Sequence, residues 1–354
     1  MIWYIPLEIL DERYTKLMDN QLQQYWRDKG TQYNTINGEQ LTDKIESGAF
    51  LDAEGTNYFK ASQLMRICKL FKDKKVQSGD KFFFSDLWYP GLEMIPYMAE
   101  IEDIDIEIWG IVHAGSFTET DIVAEMYEWA YHMEKGWFNI ATGLFVGSKQ
   151  IRDDLTKKNR AEPYKIHITG LPFDSKAVQT NKPVEREELI VFPFRFHYEK
   201  GAYQWLQMIE SISLRRPQLQ FLILGGNSQP DRPFIEEKYK DIKAKIGDRL
   251  QWKKGLSKQD YYNELARAKV VVSFALQENF GYGILEAVTL GAHPVLPNRC
   301  SYPEIYPNEY IYNTEEECYQ KVFLFLDTPT DEDKMREITS NMNNSIERMM
   351  GHMK

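Results

Sequence analysis

The most constraining feature of this 354-residue chain is a short segment in its last third. An apolar, β-branched run at 270–274 precedes a loop, a segment at 284–291 with helical apolar spacing that ends at a glycine, and a second apolar run at 293–297. A strand, a glycine-bearing loop, a helix and another strand in this order predict a parallel βαβ unit. Because ligands of parallel sheets bind beyond the carboxyl ends of the strands, we expect the loop at 275–283 to carry the function.

Two glycines and two glutamates give that loop its chemistry. Gly281 and Gly283 lack a Cβ atom, so the backbone there can turn tightly and approach a ligand. The helix that follows offers N–H groups and a partial positive charge to phosphate oxygens. Glu278 on the loop is placed to accept hydrogen bonds from hydroxyls, and Glu286 on the helix to bind the paired hydroxyls of a ribose. An ordinary surface loop before an amphipathic helix has the same spacing, so this pattern alone leaves both interpretations open.

A second segment supplies positive charge. An apolar run beginning at 188 ends at Arg195, and Lys200 follows just ahead of a helix at 202–214. The two cations flank one turn, so both can converge on one anionic group, the arginine as a bidentate donor and the lysine as a point charge. A cation at a helix N-terminus opposes the helix dipole, so an anionic ligand explains Lys200 better than a solvated surface position does.

Together these residues resemble the donor-site motif of retaining GT-B glycosyltransferases of the family-four type. The usual motif reads E-G-F-G-x-x-x-L-E-A followed by G-x-P-V, and this chain departs from it with Asn279 in place of glycine and His293 just before the proline. The family also has a G-R-x-x-x-x-K-G element that holds the donor diphosphate. The resemblance implies a donor-binding set of Arg195, Lys200, Asn279, Phe280, Gly281, Tyr282, Gly283 and Glu286.

The same resemblance implies the type of reaction. It predicts transfer from a nucleotide sugar, most simply a UDP-sugar, with retention of anomeric configuration. It also implies no obligatory metal or other cofactor, because the cations and the backbone of the glycine loop neutralise the leaving diphosphate. Asp103 and Asp105 match a metal-binding D-x-D signature by spacing, but they lie just before a predicted strand and fit a surface position better.

The fold class that follows is α/β, a GT-B fold of two Rossmann-like domains facing a central cleft. We predict an N-terminal acceptor domain at 1–175, beginning with a strand and a helix over 13–26, and a polar, proline-containing linker at 176–187. The donor domain is predicted at 188–330. By resemblance, a final helix within 331–354 crosses back to the N-terminal domain.

Candidate acceptor-side residues follow two predicted strands of the N-terminal half. His113 ends one central strand, and in the resemblance a histidine at this place contacts the donor sugar, so we predict His113, Glu278 and Asp121 as catalytic. Asp86, which ends the neighbouring strand, is assigned with Trp88 and Ser116 to acceptor binding. Asp86, Glu119 and Asp121 all remain candidates for the base that activates the acceptor hydroxyl.

The N-terminal half gives the clue to the acceptor. Its segments 4–8, 13–15 and 84–91 are similar to glycosyltransferases of large DNA bacteriophages, which modify hydroxymethylated pyrimidines in DNA. The resemblance implies DNA with a modified pyrimidine as partner, with the base leaving the stack to reach the site. Two basic clusters fit a phosphate backbone or, equally, solvated helix faces: Arg66, Lys69, Lys72, Lys74 and Lys75, and Lys149, Arg152, Lys157, Lys158 and Arg160.

Composition bounds the location of the protein. The net charge of −10 does not favour broad nucleic-acid affinity, although it allows local basic patches. Three scattered cysteines give neither a disulfide framework nor a metal-binding spacing, which is typical of a reducing compartment. No apolar run is long enough to span a bilayer, and no basic and apolar leader opens the chain. We therefore expect a cytoplasmic protein without membrane association, in the host cytoplasm if phage-encoded.

Three other functional classes remain open. A transferase that modifies cell-surface polysaccharide or another glycan would be expected to carry a basic, aromatic amphipathic helix for membrane docking, and the helix at 13–26 is mixed in charge. An epimerase or phosphorylase on the same fold would release nucleotide without an acceptor or would depend on phosphate. A non-catalytic nucleotide-sugar-binding module is disfavoured by the combination of Arg195, Lys200 and Glu278.

Overall fold

The chain folds into two compact units, each built on one parallel sheet. The computed structural model describes residues 1–9, 14–41, 55–119, 121–226 and 229–354. Unit 1 contains Met1–Phe173 together with Asn344–Lys354, and unit 2 contains Asp174–Asn343. Arg13, at which we expected the first helix to begin, lies outside the described residues.

Unit 1 alternates strands and helices. Its sheet has the strand order β2-β1-β3-β4-β5-β6, with every pair parallel. The elements are β1 Ile2–Ile5, α1 Tyr14–Asp28, β2 Tyr33–Thr35, α2 Thr56–Lys72, β3 Lys81–Phe84, α3 Met94–Ile101, β4 Glu107–Val112, α4 Tyr127–Ile140, β5 Gly143–Val146, α5 Lys149–Lys157 and β6 Ile166–Ile168.

The central strands of unit 1 are buried because helices cover the sheet. In β3, Phe82, Phe83 and Phe84 are all fully buried. Phe82 and Phe84 belong to one hydrophobic cluster that also includes Trp88 and Val112, whereas Phe83 packs against Trp26 of α1. Strands that are apolar on both faces are typical of parallel sheets, whose crossover helices exclude water from both sides.

Unit 2 repeats this architecture. Its strands are parallel in the order β12-β11-β10-β7-β8-β9. The elements are β7 Glu187–Phe192, α6 Ala202–Ile212, β8 Gln220–Ile223, α7 Pro233–Ile246, β9 Leu250–Trp252, α8 Lys258–Arg267, β10 Ala268–Val272, α9 Tyr282–Thr289, β11 His293–Pro297, α10 Tyr302–Ile305, β12 Ile311–Tyr312, α11 Glu315–Asp327 and α12 Glu332–Ser340.

The strand order of unit 2 places a ligand crevice between β7 and β10. From β7 the chain runs outward through β8 and β9, and it then returns to β10 on the other side of β7. Val191 of β7 pairs with Val271 of β10, so the two strands end side by side. Such a reversal of strand order is where open α/β sheets bind ligands. The loops that leave these two strands carry Arg195, Lys200 and Glu278.

The C-terminal segment differs from the single helix expected near 331–350. It forms α12 in unit 2 and a separate helix α13, Ser345–His352, in unit 1, with a 3-10 turn at Asn341–Asn344 between them. Three asparagines in that turn favour a break because their side chains compete for backbone hydrogen bonds. Within unit 1, Trp26 donates from Nε1 to Sδ of Met350 at 3.1 Å, and Arg348 donates from Nε to the carbonyl of Thr169 at 2.8 Å.

In the described part of the chain, no helix is both long and apolar enough to cross a membrane. The three cysteines are present as free thiols.

Candidate functional site

In unit 2 a lysine and a helix N-terminus share one carboxylate. Lys200 donates from Nζ to the carbonyl of Gln277 at 2.8 Å and lies 3.3 Å from Oε2 of Glu278. The other oxygen of Glu278, Oε1, accepts a hydrogen bond from the amide of Gly281 at 3.1 Å. Gly281 is the N-cap of α9 and has a φ of +83°, a backbone conformation that favours glycine. The ammonium of Lys200 and the start of α9 are therefore close enough to bind one anionic group together.

Arg195 belongs to the same group of loops. Its guanidinium is half exposed and lies 2.6 Å from Oε1 of Glu199. The backbone carbonyl of Glu199 accepts a hydrogen bond from the amide of Leu276 at 2.8 Å, which joins the loop after β7 to the loop after β10. Because of this link, the two loops present Arg195 and Lys200 from one continuous surface.

The loops approach each other too closely for side chains at two glycines. A Cβ atom on Gly283 would lie 2.7 Å from the carbonyl oxygen of Pro193, so the first turn of α9 packs directly on the backbone after β7. Gly201, with a φ of +74°, precedes α6, and a Cβ atom there would collide with the backbone of Phe274. Only glycine permits these approaches, which fix the N-terminus of α9 beside the cation-bearing loop.

Glu286 is buried and already has partners. Its side chain is 4% exposed and pairs with the ammonium of Lys258. The hydroxyl of Tyr262 donates to Oε1 of the same carboxylate at 3.2 Å. Burial raises the pKa of Tyr262, and the negative charge of Glu286 raises it further, so this phenol stays a hydrogen-bond donor at any physiological pH. The sequence motif contained Glu286 but gave no indication of these two partners.

The remaining residues of the predicted donor set differ in exposure. Phe280 is 2% exposed and packs against the ring of Tyr282 at a centroid distance of 5.1 Å, so its side chain belongs to the core. The role predicted for Phe280 in donor contact is therefore limited to its backbone. Asn279 accepts a hydrogen bond from the side-chain amide of Gln277 at 2.7 Å.

In unit 1, His113 and Asp86 lie at the carboxyl ends of neighbouring strands. The Nε2 atom of His113 lies 2.8 Å from the backbone carbonyl of Ser85; because a carbonyl oxygen only accepts, Nε2 is the donor in this contact. Asp86 is buried, accepts from the amide of Trp88 at 3.1 Å, and lies 3.9 Å from the ammonium of Lys60. Burial lowers the pKa of Lys60, and Asp86 opposes this effect. Asp121 serves as the N-cap of a 3-10 helix, where it accepts from the amide of Val123 at 3.0 Å.

The structure corrects the roles predicted for Trp88 and Ser116. Both are buried and bind Glu134, a fully buried residue of α4. Glu134 accepts from the indole of Trp88 at 3.1 Å, from the amide of Ser116 at 2.6 Å and from the hydroxyl of Ser116 at 2.6 Å. These groups are used to hold the loops after β3 and β4, so they are not displayed to an acceptor.

Arg160 completes this buried network and cannot belong to a DNA-binding cluster as predicted. It is fully buried, its Nε lies 2.9 Å from Oε2 of Glu134, and its guanidinium lies 4.2 Å from the ring centroid of Tyr131. The other basic cluster, Arg66 to Lys75, lies in the C-terminal part of α2 and in the loop that leads to β3. It therefore lies at the amino edge of the sheet, opposite the edge that carries Asp86 and His113.

Sequence reasoning missed Glu134, Arg160, Lys60 and Lys258. The first three act through long-range contacts that have no local pattern. Lys258 did have a local indication, because it is the first residue of α8, where a cation opposes the helix dipole just as at Lys200.

Comparisons with known proteins agree with this architecture. Residues 174–341 match the family described as glycosyl transferases group 1. A curated relative, the tRNA-queuosine alpha-mannosyltransferase of Drosophila melanogaster, is 27% identical over 184 residues, which cover 51% of this chain and 48% of the relative. The chain thus spans about half the length of that relative.

Solved structures resemble the whole chain. Sucrose-phosphate synthase from Thermosynechococcus elongatus superposes with a TM-score of 0.66 at 16% identity, covering 99% of this chain and 94% of the other. The UDP-forming alpha,alpha-trehalose-phosphate synthase from Burkholderia vietnamiensis gives 0.67 at 11% identity, with coverages of 99% and 96%. HepE of Anabaena, solved with UDP, gives 0.64 at 10% identity, with coverages of 98% and 95%.

These similarities confirm the predicted α/β, GT-B fold class. The match of residues 174–341 to this family supports the predicted glycosyltransferase class. The similarity to this family covers residues 174–341, a span that lies within unit 2.

Proposed function

We propose that this protein is a retaining, nucleotide-sugar-dependent glycosyltransferase whose acceptor is a hydroxyl on a modified base in nucleic acid. Our first candidate for that acceptor is a hydroxymethylated pyrimidine of the 5-hydroxymethylcytosine type in phage DNA. The donor is a nucleoside diphosphate sugar, most simply a UDP-sugar, and it binds in unit 2.

One observation carries the donor assignment: the carboxylate of Glu278 bridges Lys200 and the amide of Gly281. A carboxylate oxygen stands in for a phosphate oxygen in charge and in hydrogen-bonding capacity. The carboxylate is contacted by an ammonium and by an amide at the start of a helix. Groups of these two kinds bind phosphate in proteins with parallel sheets. Arg195 on the adjoining loop adds a third source of positive charge.

These groups have a direct role in the reaction we propose. When the bond between the anomeric carbon and the diphosphate breaks, the electron pair goes to the leaving phosphate oxygen. Lys200, Arg195 and the N-terminus of α9 stabilise the charge that develops there. Glu278, displaced from Lys200 by the phosphate, is then placed to accept hydrogen bonds from the hydroxyls of the donor sugar. His113 and Asp121 remain our candidates for groups that contact the sugar and the acceptor.

Two findings support an acceptor in nucleic acid. The first is the sequence resemblance, described above, between the N-terminal half and phage glycosyltransferases that modify bases in DNA, and it is the basis for the first candidate. The second is the curated relative, which is named for a modified nucleoside in tRNA. In chemical terms both acceptors are hydroxyls carried by a modified base in nucleic acid. The relative makes a queuosine-type hydroxyl in tRNA the second candidate acceptor.

The acceptor is tested by a transfer assay. The protein is incubated with UDP-, GDP- and ADP-sugars and with three acceptors: DNA containing 5-hydroxymethylcytosine, unmodified DNA, and tRNA containing queuosine. Digested nucleosides are then analysed by mass spectrometry. A sugar mass on hydroxymethylcytosine alone supports the first candidate, and one on queuosine alone replaces it with the second. Release of nucleotide with no sugar gained by any nucleic acid refutes the nucleic-acid acceptor and leaves the donor assignment standing.

The donor assignment is tested with Lys200→Ala. We expect this variant to lose most of the turnover, about 100-fold or more, because a cation at the developing charge is removed. Lys240→Ala removes an exposed lysine from α7 that also pairs with a glutamate, Glu236, and serves as the matched control. Equal turnover in Lys200→Ala, Lys240→Ala and the wild type would refute the donor site.

A further inference from the structure

Besides Arg195 and Lys200, Lys258 is a further cation of unit 2 that contacts α9, the helix that begins after Gly281. Lys258 is the first residue of α8, directly after Ser257, whose hydroxyl caps the helix by accepting from the amide of Asp260 at 3.1 Å. The ammonium of Lys258 pairs with Glu286, and its side chain is 43% exposed whereas that of Glu286 is 4% exposed. Lys258 thus connects a buried carboxylate to the surface of the crevice.

The surroundings of Lys258 hold it in place. Its Nζ lies 4.8 Å from the ring centroid of Tyr261 and 4.9 Å from that of Tyr262, distances that are typical of cation–π contacts. Tyr262 also donates to Oε1 of Glu286, the same oxygen that Lys258 contacts. Two donors on one oxygen fix the orientation of the carboxylate.

We infer that Lys258 is a donor-binding residue that recognises the nucleoside part of the nucleoside diphosphate, with Tyr262 as a positioning residue for Glu286. This inference rests on the proposed donor site. An ammonium has three N–H donors, and the bond to Glu286 uses one of them. The others are available to a ribose hydroxyl or a base carbonyl bound next to Glu286.

The position of Lys258 along the crevice separates it from the diphosphate. Glu286 lies five residues beyond Gly281 in α9, which is about 7.5 Å along the helix axis at 1.5 Å per residue. Lys200 acts at the Gly281 end, and Lys258 acts at the Glu286 end. The two lysines should therefore respond differently to ligands that contain or lack the nucleoside.

The experiment compares UDP with inorganic diphosphate by isothermal titration calorimetry, and ADP and GDP replace UDP if they bind more tightly. We expect Lys258→Met to weaken nucleotide binding about tenfold while diphosphate affinity changes less than about twofold. Lys200→Met should weaken both ligands. Lys258→Arg, which keeps the charge, should recover part of the loss. Tyr262→Phe should weaken the nucleotide alone, and Lys240→Met, the control on α7, should change neither ligand.

The outcomes separate this inference from the function on which it rests. If the wild type binds nucleotide and Lys258→Met binds it equally well, Lys258 is not a donor-binding residue, although the donor site stands. If Lys258→Met weakens nucleotide and diphosphate equally, recognition of the nucleoside is refuted. If the wild type binds none of the three nucleotides, both the proposed donor site and the role of Lys258 fail.

Discussion

The buried pair of Glu134 and Arg160 gives the sharpest prediction about stability. Both side chains are fully buried, with Nε of Arg160 2.9 Å from Oε2 of Glu134. Glu134 also accepts from Trp88 and twice from Ser116, so its carboxylate is saturated. Glu134→Gln keeps the shape of the side chain but removes its charge, which leaves the buried guanidinium of Arg160 without its counter-ion. It also places an amide N–H₂ group where the carboxylate accepted hydrogen bonds from donors.

The expected size of the effect follows from this burial. Breaking a buried pair by removing one partner destabilises proteins by about 3–5 kcal/mol. For a domain of roughly 150–250 residues, each kcal/mol lowers Tm by about 2–4 °C, so we expect the unfolding transition of unit 1 to fall by about 6–20 °C. The transition of unit 2, which does not contain the pair, should stay within about 1 °C, because surface and distant effects are small.

Differential scanning calorimetry of four proteins tests the reasoning: the wild type, Glu134→Gln, Arg160→Met and the double variant. The double variant has no unpaired buried charge. Its loss of unfolding free energy should therefore be smaller than the sum of the two single losses by about 2 kcal/mol or more. Glu236→Gln breaks the exposed pair of Glu236 and Lys240 and should cost less than about 0.5 kcal/mol. Additive losses in the double variant, or a loss below about 1 kcal/mol in Glu134→Gln, would refute a coupled buried pair.

Two further predictions concern unit 2. Gly283→Ala places a Cβ atom 2.7 Å from the carbonyl oxygen of Pro193 and should reduce nucleotide affinity at least about tenfold. The control Gly136→Ala, with open space around the new Cβ atom, should leave nucleotide affinity unchanged and be neutral or slightly stabilising. Equal nucleotide-titration curves for the two variants would contradict the prediction. Burial lowers the pKa of His293, which stacks on Phe325. The unfolded state then binds more protons below about pH 6.5, so the stability of unit 2 should fall as pH drops. The loss of stability between pH 7.5 and 5.5 should be smaller in His293→Phe than in the wild type. Some pH dependence should remain in this variant, because burial also lowers the pKa of His197. Calorimetry that shows the same loss of stability in both proteins would argue against the role of His293.

The sequence was informative about features that depend on local backbone conformation. The predicted turn at Gly281 has a positive φ, whereas the close approach at Gly283, which we predicted towards a ligand, is a contact with the carbonyl of Pro193. The buried strand His293–Pro297 was also predicted. Each of these features depends on a few neighbouring residues, so it leaves a local pattern. The helix Pro233–Ile246 was overlooked although proline in its first turn and Gly247 at its end are ordinary helix boundaries.

The sequence was uninformative where side chains meet across long separations. Glu134 and Arg160 are 26 residues apart, and Glu134 and Trp88 are 46 apart. In sequence, Glu134 stands before Lys135 in an amphipathic helix and has the appearance of a solvated residue. Only the packing of α4 against the loops after β3 and β4 makes it the centre of a buried network. Trp88 and Ser116 were therefore assigned to the acceptor, whereas they serve the fold.

This contrast has a consequence for how the two units tolerate change. The donor loops depend on positive φ angles at Gly201 and Gly281, which glycine adopts without the strain that a Cβ atom brings, and on close backbone contact at Gly283. The candidate acceptor loops of unit 1 are held by side-chain pairs such as Glu134 with Arg160 and Lys60 with Asp86, and other pairs of complementary shape and charge can fill such positions. Substitutions that change the acceptor should therefore be accommodated in unit 1 as coordinated pairs, whereas single substitutions at the donor glycines should weaken nucleotide binding whatever the acceptor.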